Sequence, residues 1–328
     1  MKRVAIVGCG LVGAKRARAL GDSRLVAVAD RDLERAQRLA QESPGCAVET
    51  DWTAVVSRDD VDIVLVATSN DSLVPVALGA VERRKHVLIE KPAARSAAEL
   101  APLVTAARAA RVTVRVGFNH RFHPALQKAR AIFGAGDLGP LLYIRGRYGH
   151  GGRVGYEREW RADPKVAGGG ELLDQGVHLI DLSRWFAGDF IHVAGHVSTF
   201  FWDMPVEDNG FLLLRTVDGQ VAWLHASWTE WKNLFSFEVF GLDGKLQVDG
   251  LGGSYGVERL TLYRMRPQMG PPDIKAWDYP GEDPSWREEY AAFTRAIDGD
   301  ATANATLEDA AAALSIVGQV YGQARAHS

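Results

Sequence analysis

Asp174 and His178 stand four residues apart in GGGELLDQGVHLIDLSRWF (168–186), where Leu172, Leu173, Val177, Leu179, Ile180, Leu182 and Trp185 recur at helical intervals. On a helix that spacing puts both side chains on one face, about 6 Å apart along the axis. An imidazole titrates near neutrality, and a neighbouring carboxylate orients it and stabilises its charged form, so this pair could relay a proton. Two plainer readings compete: a core histidine held by a helix acid, and a metal site. No third and fourth ligand stands at convincing spacing, so no metal is expected.

Lys91 is the second candidate, in Glu90-Lys91-Pro92 after the apolar run Lys85 to Ile89. A residue before proline is steered toward extended backbone, so the ammonium can be aimed at a substrate hydroxyl or carbonyl oxygen. A surface lysine in a turn is the alternative.

The first thirty residues, MKRVAIVGCGLVGAKRARALGDSRLVAVAD, supply what such chemistry lacks. An apolar run, Val4 to Val7, enters a turn holding Gly8, Gly10 and Gly13, and a helical pattern follows. Gly8 permits the tight turn, Gly10 lets backbone approach a pyrophosphate, and Gly13 lets helix and strand pack closely. Leu11 and Val12 begin the helix, whose N-terminus presents amides to phosphates. A second apolar run, Leu25 to Ala29, stops at Asp30, about twenty positions after the glycines, as a ribose-binding carboxylate should. Strand, glycine turn, helix, strand and acid together read as a dinucleotide site. Asp30 favours NAD, since its carboxylate would repel a 2′-phosphate. Arg31 beside it is the residue type that accepts one, so NADP stays open.

The elements that position these residues alternate. Strand-like runs at Val61–Ala67, Lys85–Ile89 and Thr113–Val116 interleave with helical patterns over Asp32–Glu42, Val74–Glu82 and Ala97–Ala110. That order predicts a doubly wound parallel sheet, whose ligands lie beyond the carboxyl ends of the strands. Gly8, Asp30, Thr68, Asn70, Glu90, Lys91, Asn119 and His120 all fall there. Near Pro124 the pattern changes. Helix is predicted over Ala125–Phe133, then strands over Leu141–Tyr148, His192–Phe201 and Arg259–Met265, with hairpins around Asp218-Gly219 and Asp243-Gly244. The expectation is an antiparallel sheet of about six or seven strands. Helices return over Trp286–Ile297 and Thr306–Arg325, the latter opened by a Thr306/Asp309 capping box. Two α/β domains are read: residues 1–123, a dinucleotide-binding Rossmann domain, and 124–328, an α+β substrate and oligomerisation domain with a large open sheet. The C-terminal helix is allowed to pack back on the first.

Composition excludes other classes. The 38 basic and 41 acidic residues give a net charge of −3 without long runs of one sign, which supports neither a nucleic-acid nor a membrane partner. Two cysteines, Cys9 and Cys46, suit a reducing compartment, and no apolar stretch reaches a membrane span, so a cytoplasmic protein is expected. Of nine tryptophans only Trp52 precedes position 150, so the second half has a different core or a broad aromatic surface.

The dinucleotide loop, EKP at a strand end, GFNHRFHP after the next strand and GGGELLDQGVH after the change of pattern together resemble the Gfo/Idh/MocA family, the glucose-fructose oxidoreductase and inositol dehydrogenase group. The resemblance spans most of the chain. It implies an NAD(P)-dependent oxidoreductase acting on sugars, sugar derivatives or cyclitols, and a homodimer or homotetramer formed through the C-terminal sheet. By this resemblance Lys91 matches the catalytic lysine, Asp174 its carboxylate and His178 the acid/base histidine. Thr68, Asn70 and Glu90 match positions around the cofactor, and Trp160-Arg161 look like a substrate-facing pair, with Asn119 also placed toward substrate. Where the family often reads ATPN and then a histidine, this chain has ATSN and Leu73. Tyr148–Arg161 reads as a specificity loop or a subunit contact, and Arg153, Arg158 and Arg161 make an anionic substrate plausible. The activity expected is reversible hydride transfer between nicotinamide and a secondary hydroxyl of a sugar, a nucleotide sugar or a cyclitol. An NAD-dependent glycosidase and a non-catalytic NAD-binding sugar sensor are the alternatives.

Overall fold

Val4, Ala5 and Ile6 are all fully buried, and so are Ile63 and Val64. Successive strand residues face opposite ways, so such runs require a sheet covered on both faces. The computed structural model describes residues 1–326 and builds that sheet from β1 (Arg3–Val7), β2 (Arg24–Ala29), β3 (Ala47–Glu49), β4 (Ile63–Val66), β5 (His86–Glu90) and β6 (Val114–Gly117). All pairings are parallel, in the order β3-β2-β1-β4-β5-β6. The connections are α1 (Leu11–Arg18), α2 (Leu33–Ala40), α3 (Trp52–Val56), α4 (Asn70–Glu82) and α5 (Ala97–Ala110). Asp32, Asp51 and Ser96 cap α2, α3 and α5 by accepting the amides of Arg35, Thr53 and Glu99. This unit comprises residues 1–119, 165–168 and 286–314. α4 begins at Asn70, four residues earlier than the sequence suggested, because Ser69 occupies its N-cap and Pro75 is accommodated inside the helix.

The second unit comprises, among the described residues, 120–164, 169–285 and 315–326. Its sheet holds β7 (Leu141–Gly149), β8 (Phe190–Ser198), β9 (Asn209–Thr216), β10 (Val221–Ser227), β11 (Leu234–Gly241), β12 (Gly244–Asp249), β13 (Glu258–Arg264) and β14 (Asp273–Tyr279), ordered β14-β13-β12-β11-β7-β10-β9-β8. Both predicted hairpins form, β9 with β10 and β11 with β12. The sheet is mainly antiparallel, as expected, but has eight strands rather than six or seven. Its β7 runs parallel to β10, since the long excursion between them permits a crossover. β14 escaped notice because it is an edge strand with no buried residue, and so lacks an apolar alternation.

Helices of this part of the chain are α6 (Pro124–Gly134), α7 (Pro164–Ala167) and α8 (Val177–Ala187), with α9 (Ser285–Ile297) and α10 (Leu307–Ala326) ending it. α8 covers one face of the eight-stranded sheet: a Cβ built on Gly146 of β7 would lie 3.1 Å from the Leu179 side chain. The opposite face exposes Leu142, Tyr143, Leu213, Trp223 and Ile274. The capping box at α10 is present, with Thr306 N–H donating to the Asp309 carboxylate (3.0 Å) and Asp309 N–H to Thr306 Oγ1 (3.2 Å). Among the described residues no helix is long and apolar enough to cross a membrane.

Candidate active site

Gly8 follows β1 with φ +95°, and a Cβ there would strike the backbone of Ala67. A Cβ on Gly13 would meet the Gly8 carbonyl, which is the close helix–strand packing expected of that position. Gly10 is the N-cap of α1 with no side-chain cap, and a Cβ there would find nothing within 4 Å. An anion approaching above Gly10 therefore meets the first-turn amides of Leu11, Val12 and Gly13, unobstructed. Asp30 follows β2; its Oδ2 accepts the Cys9 amide at 2.7 Å and its Oδ1 the Asp32 amide at 2.9 Å. Those bonds fix the carboxylate and leave lone pairs for a ribose diol. Arg31 beside it is exposed. The loop fits a dinucleotide. Burial pushes the Cys9 thiol up to about 12, so it is inert in this turn.

Lys91 follows β5, joined to Pro92 by a cis peptide bond. The carboxylate of its neighbour Glu90 is buried against Arg16 of α1, 2.6 Å from Nε, and Arg16 Nη1 reaches Glu289 of α9 at 2.5 Å. The guanidinium also lies 4.6 Å over the Trp286 ring. Burial works against the charge of Arg16, and the two carboxylates outweigh it and raise its pKa. Arg16 ties the phosphate-facing helix to the EKP segment, a role that one sequence position could not reveal. Asn70 is buried and its Nδ2 donates to the Ala167 carbonyl at 2.8 Å, while Thr68 Oγ1 donates to the Ser69 carbonyl at 3.2 Å. Leu73 is fully buried.

In the second unit the stretch holding Asp174 and His178 is not the single regular helix expected. Leu172–Gly176 forms a π turn that runs into α8. Its entry is held from a distance: Glu207 accepts the amides of Gly170 (3.0 Å) and Leu172 (3.2 Å) and a hydrogen bond from the Tyr321 hydroxyl (2.7 Å). A Cβ on Gly170 would collide with the Glu207 carbonyl, which accounts for the last of the three glycines. Burial raises the Glu207 pKa against the pull of those donors. Insertions of this kind re-aim helical side chains and are frequent at functional sites.

Arg161 lies with Nε 3.3 Å from Asp174 Oδ2, its guanidinium 4.6 Å from the Trp160 ring centroid. Asp174 is thus paired with the arginine of the WR dipeptide. His178 is buried, and its ring stacks on His120, centroids 3.7 Å apart and planes inclined 23°. His120 belongs to the 3₁₀ turn Asn119–Phe122, whose first residue Asn119 is also buried. Arg121 of that turn forms a buried two-point pair with Asp181 of α8, at 2.6 and 2.8 Å. Tyr148 of β7 meets the His178 ring edgewise and the His120 ring at a tilt, and burial raises its hydroxyl pKa well above the ordinary range. Gln175 donates to the Tyr255 hydroxyl at 3.2 Å. The glycine-rich stretch 250–256 thus delivers the Tyr255 side chain to this cluster.

The segment 148–161 packs on its own unit, Tyr156 entering an aromatic cluster with Trp228, Met204 and Val206. Its arginines face carboxylates: Arg153 pairs with Glu159 at 2.6 Å, Arg158 lies 3.8 Å from Glu157, and Arg161 holds Asp174. Each of the three arginines thus has a carboxylate nearby, two of them within the segment and one, Asp174, on the π turn. Among the described residues no group of three metal-ligating side chains gathers. The sequence marks His120 only as a strand-end residue and Tyr148 only as the start of the 148–161 segment, and it offers no signal for Arg16 or Tyr255.

Residues 2–118 match the family model described as oxidoreductase family, NAD-binding Rossmann fold, and residues 126–247 the model of the GFO/IDH/MocA C-terminal domain. Levoglucosan dehydrogenase of Pseudarthrobacter phenanthrenivorans is 31% identical over 61% of this chain and 52% of its own length. Inositol 2-dehydrogenase 4 of Saccharopolyspora erythraea is 37% identical over 58% of this chain and 55% of its own. The chain thus spans little more than half the length of these relatives. A solved levoglucosan dehydrogenase in complex with NADH and L-sorbose shares the fold at TM-score 0.91, covering 100% of this chain and 98% of that one at 22% identity.

Proposed function

The chain belongs to the Gfo/Idh/MocA family of oxidoreductases, and on that premise we propose that it is an NAD-dependent dehydrogenase acting on a secondary hydroxyl of a sugar-like or cyclitol substrate. One observation carries the reading. In the order β3-β2-β1-β4-β5-β6, Asp30 follows β2, the glycine turn follows β1 and Lys91 follows β5, all at the same edge. Strands lie about 4.8 Å apart, so Lys91 stands about 10 Å across the edge from the phosphate loop, on the side away from Asp30. That is the span from pyrophosphate to nicotinamide in an extended dinucleotide. Bound NAD supplies the hydride acceptor.

The protein residues handle the oxygen and its proton. Lys91 donates a hydrogen bond to the reacting oxygen and stabilises the negative charge that builds there. His178 takes the hydroxyl proton as the carbon is oxidised, and returns it in the reverse direction. Asp174, held by Arg161, supports the positive charge that His178 acquires. Trp160, Arg161 and Asn119 complete the substrate contacts, and Asp30 selects NAD. Both cysteines are free thiols, which supports a reducing, cytoplasmic setting. The exposed apolar face of the eight-stranded sheet supports a homo-oligomer, a dimer or tetramer.

The test is nicotinamide reduction, followed by absorbance, with NAD and NADP against inositols, free and anhydro sugars, sugar phosphates and nucleotide sugars. Reduction of NAD by a neutral polyol or sugar is expected. NAD binding with no reduction by any class would overturn the reading.

A further inference from the structure

We propose that His120 is a positioning residue for His178, a stacked partner that holds the proton-accepting imidazole and admits only one positive charge to the pair. The inference rests on the reading of His178 as proton acceptor. The rings are buried and nearly parallel, with centroids 3.7 Å apart. Two imidazolium ions so stacked repel, so a proton on either ring disfavours a proton on the other.

His120 is itself fixed. Its ring meets the edge of His123 at 5.4 Å and packs on Tyr148 and Phe235 at 5.2 and 5.8 Å. His123 is anchored in turn, with Nδ1 2.8 Å from Glu258 Oε2 and Nε2 3.8 Å from Asp283 Oδ1. The other charged groups around the stack are largely matched among themselves. Arg121 is paired with Asp181, and Arg161 with Asp174. Glu171 is buried three residues before Asp174 at the entry to the π turn, and the Tyr148 ring, which packs on both imidazoles, lies 5.4 Å from that of Tyr255. The like-charge stack then sets how the pair titrates. As pH falls, the first proton is shared between two rings, and part of the population keeps His178 neutral where a lone histidine would be protonated. The acid limb of activity is therefore held at lower pH.

The experiment measures kcat/KM against pH for the NAD-saturated enzyme and for His120→Phe, His120→Ala and His178→Gln. Phenylalanine keeps a stacked ring that carries no charge, so kcat at the optimum should fall no more than about threefold while the acid limb moves up by about half to one pH unit. His120→Ala should show the same shift with a loss of about tenfold in kcat, which the phenylalanine variant rescues. An unmoved acid limb in His120→Phe, with His178→Gln inactive, overturns the inference and leaves the acid/base reading intact. Wild-type turnover in His178→Gln overturns that reading instead. Should His120→Phe lose NAD binding through misfolding, imidazole NMR titration of the wild-type protein decides: coupled two-step curves for the two rings support the pair, and independent single-step curves overturn it.

Discussion

The two sheets of this chain bury themselves differently. In the six-stranded sheet consecutive residues of β1, β4 and β5 are buried, so both faces are covered and chemistry is confined to the edge where the strands end. In the eight-stranded sheet residues alternate: Leu212 and Leu224 are buried while Leu213 and Trp223 are open. One face there supports α8, whose His178 stacks on His120, and the other is exposed. A sheet covered on both sides leaves only its strand ends open; a sheet covered by helix on one side leaves the other face exposed.

The largest effect should come from breaking the first sheet's buried ion triad. Arg16→Ala would leave Glu90 and Glu289 without their cation in a buried setting, which costs about 3–5 kcal/mol. Urea unfolding would read this as a lowered midpoint, and a loss under about 1 kcal/mol would mean that the carboxylates find other partners.

In the second unit the counterpart is Asp208, which accepts the amides of Phe200, Phe201 and Trp202 and a bond from the Asn209 side chain. Burial would raise its pKa, but these donors outweigh it and hold the carboxyl below the usual carboxylate range. A depressed folded pKa gives stability that is complete above the ordinary carboxylate value and is lost as pH falls through the folded one. Asp208→Asn should therefore cost about 2 kcal/mol at neutral pH. The gap from wild type should close on acidification below about pH 4. A gap unchanged with pH would assign the loss to packing.

The smallest effect on stability, and the sharpest test of the contrast between faces, is Trp223→Arg. It should leave the unfolding midpoint nearly unchanged and shift light scattering at micromolar concentration from oligomer to monomer. A wild-type monomer would remove the assembly role from that face.

Much of the fold was legible because burial writes a period into the chain. Val61–Ala67 announces a strand covered on both faces, and the two Asp-Gly turns announce their hairpins. β14 has no buried residue and left no pattern. The π turn depends on Glu207, far along the chain from Gly170, so the local helical spacing around Leu172 concealed it. The same reason hides the site's supporting contacts. Arg16 meets Glu289 across 273 positions, and His120 meets His178 only once the second unit has folded. Residues with intrinsic chemistry, Lys91, Asp174 and His178, can be nominated from the sequence as candidates; contacts set by a distant neighbour cannot.

The central claim is that Lys91 and His178 handle the reacting oxygen while the glycine loop and Asp30 hold NAD. The most direct measurement is turnover and NAD affinity side by side for Lys91→Met and His178→Gln, with whichever polyol reduces NAD in the wild-type protein. The account predicts kcat lowered by about a hundredfold or more in each, with NAD affinity within about threefold of wild type. Wild-type turnover in both variants would contradict it.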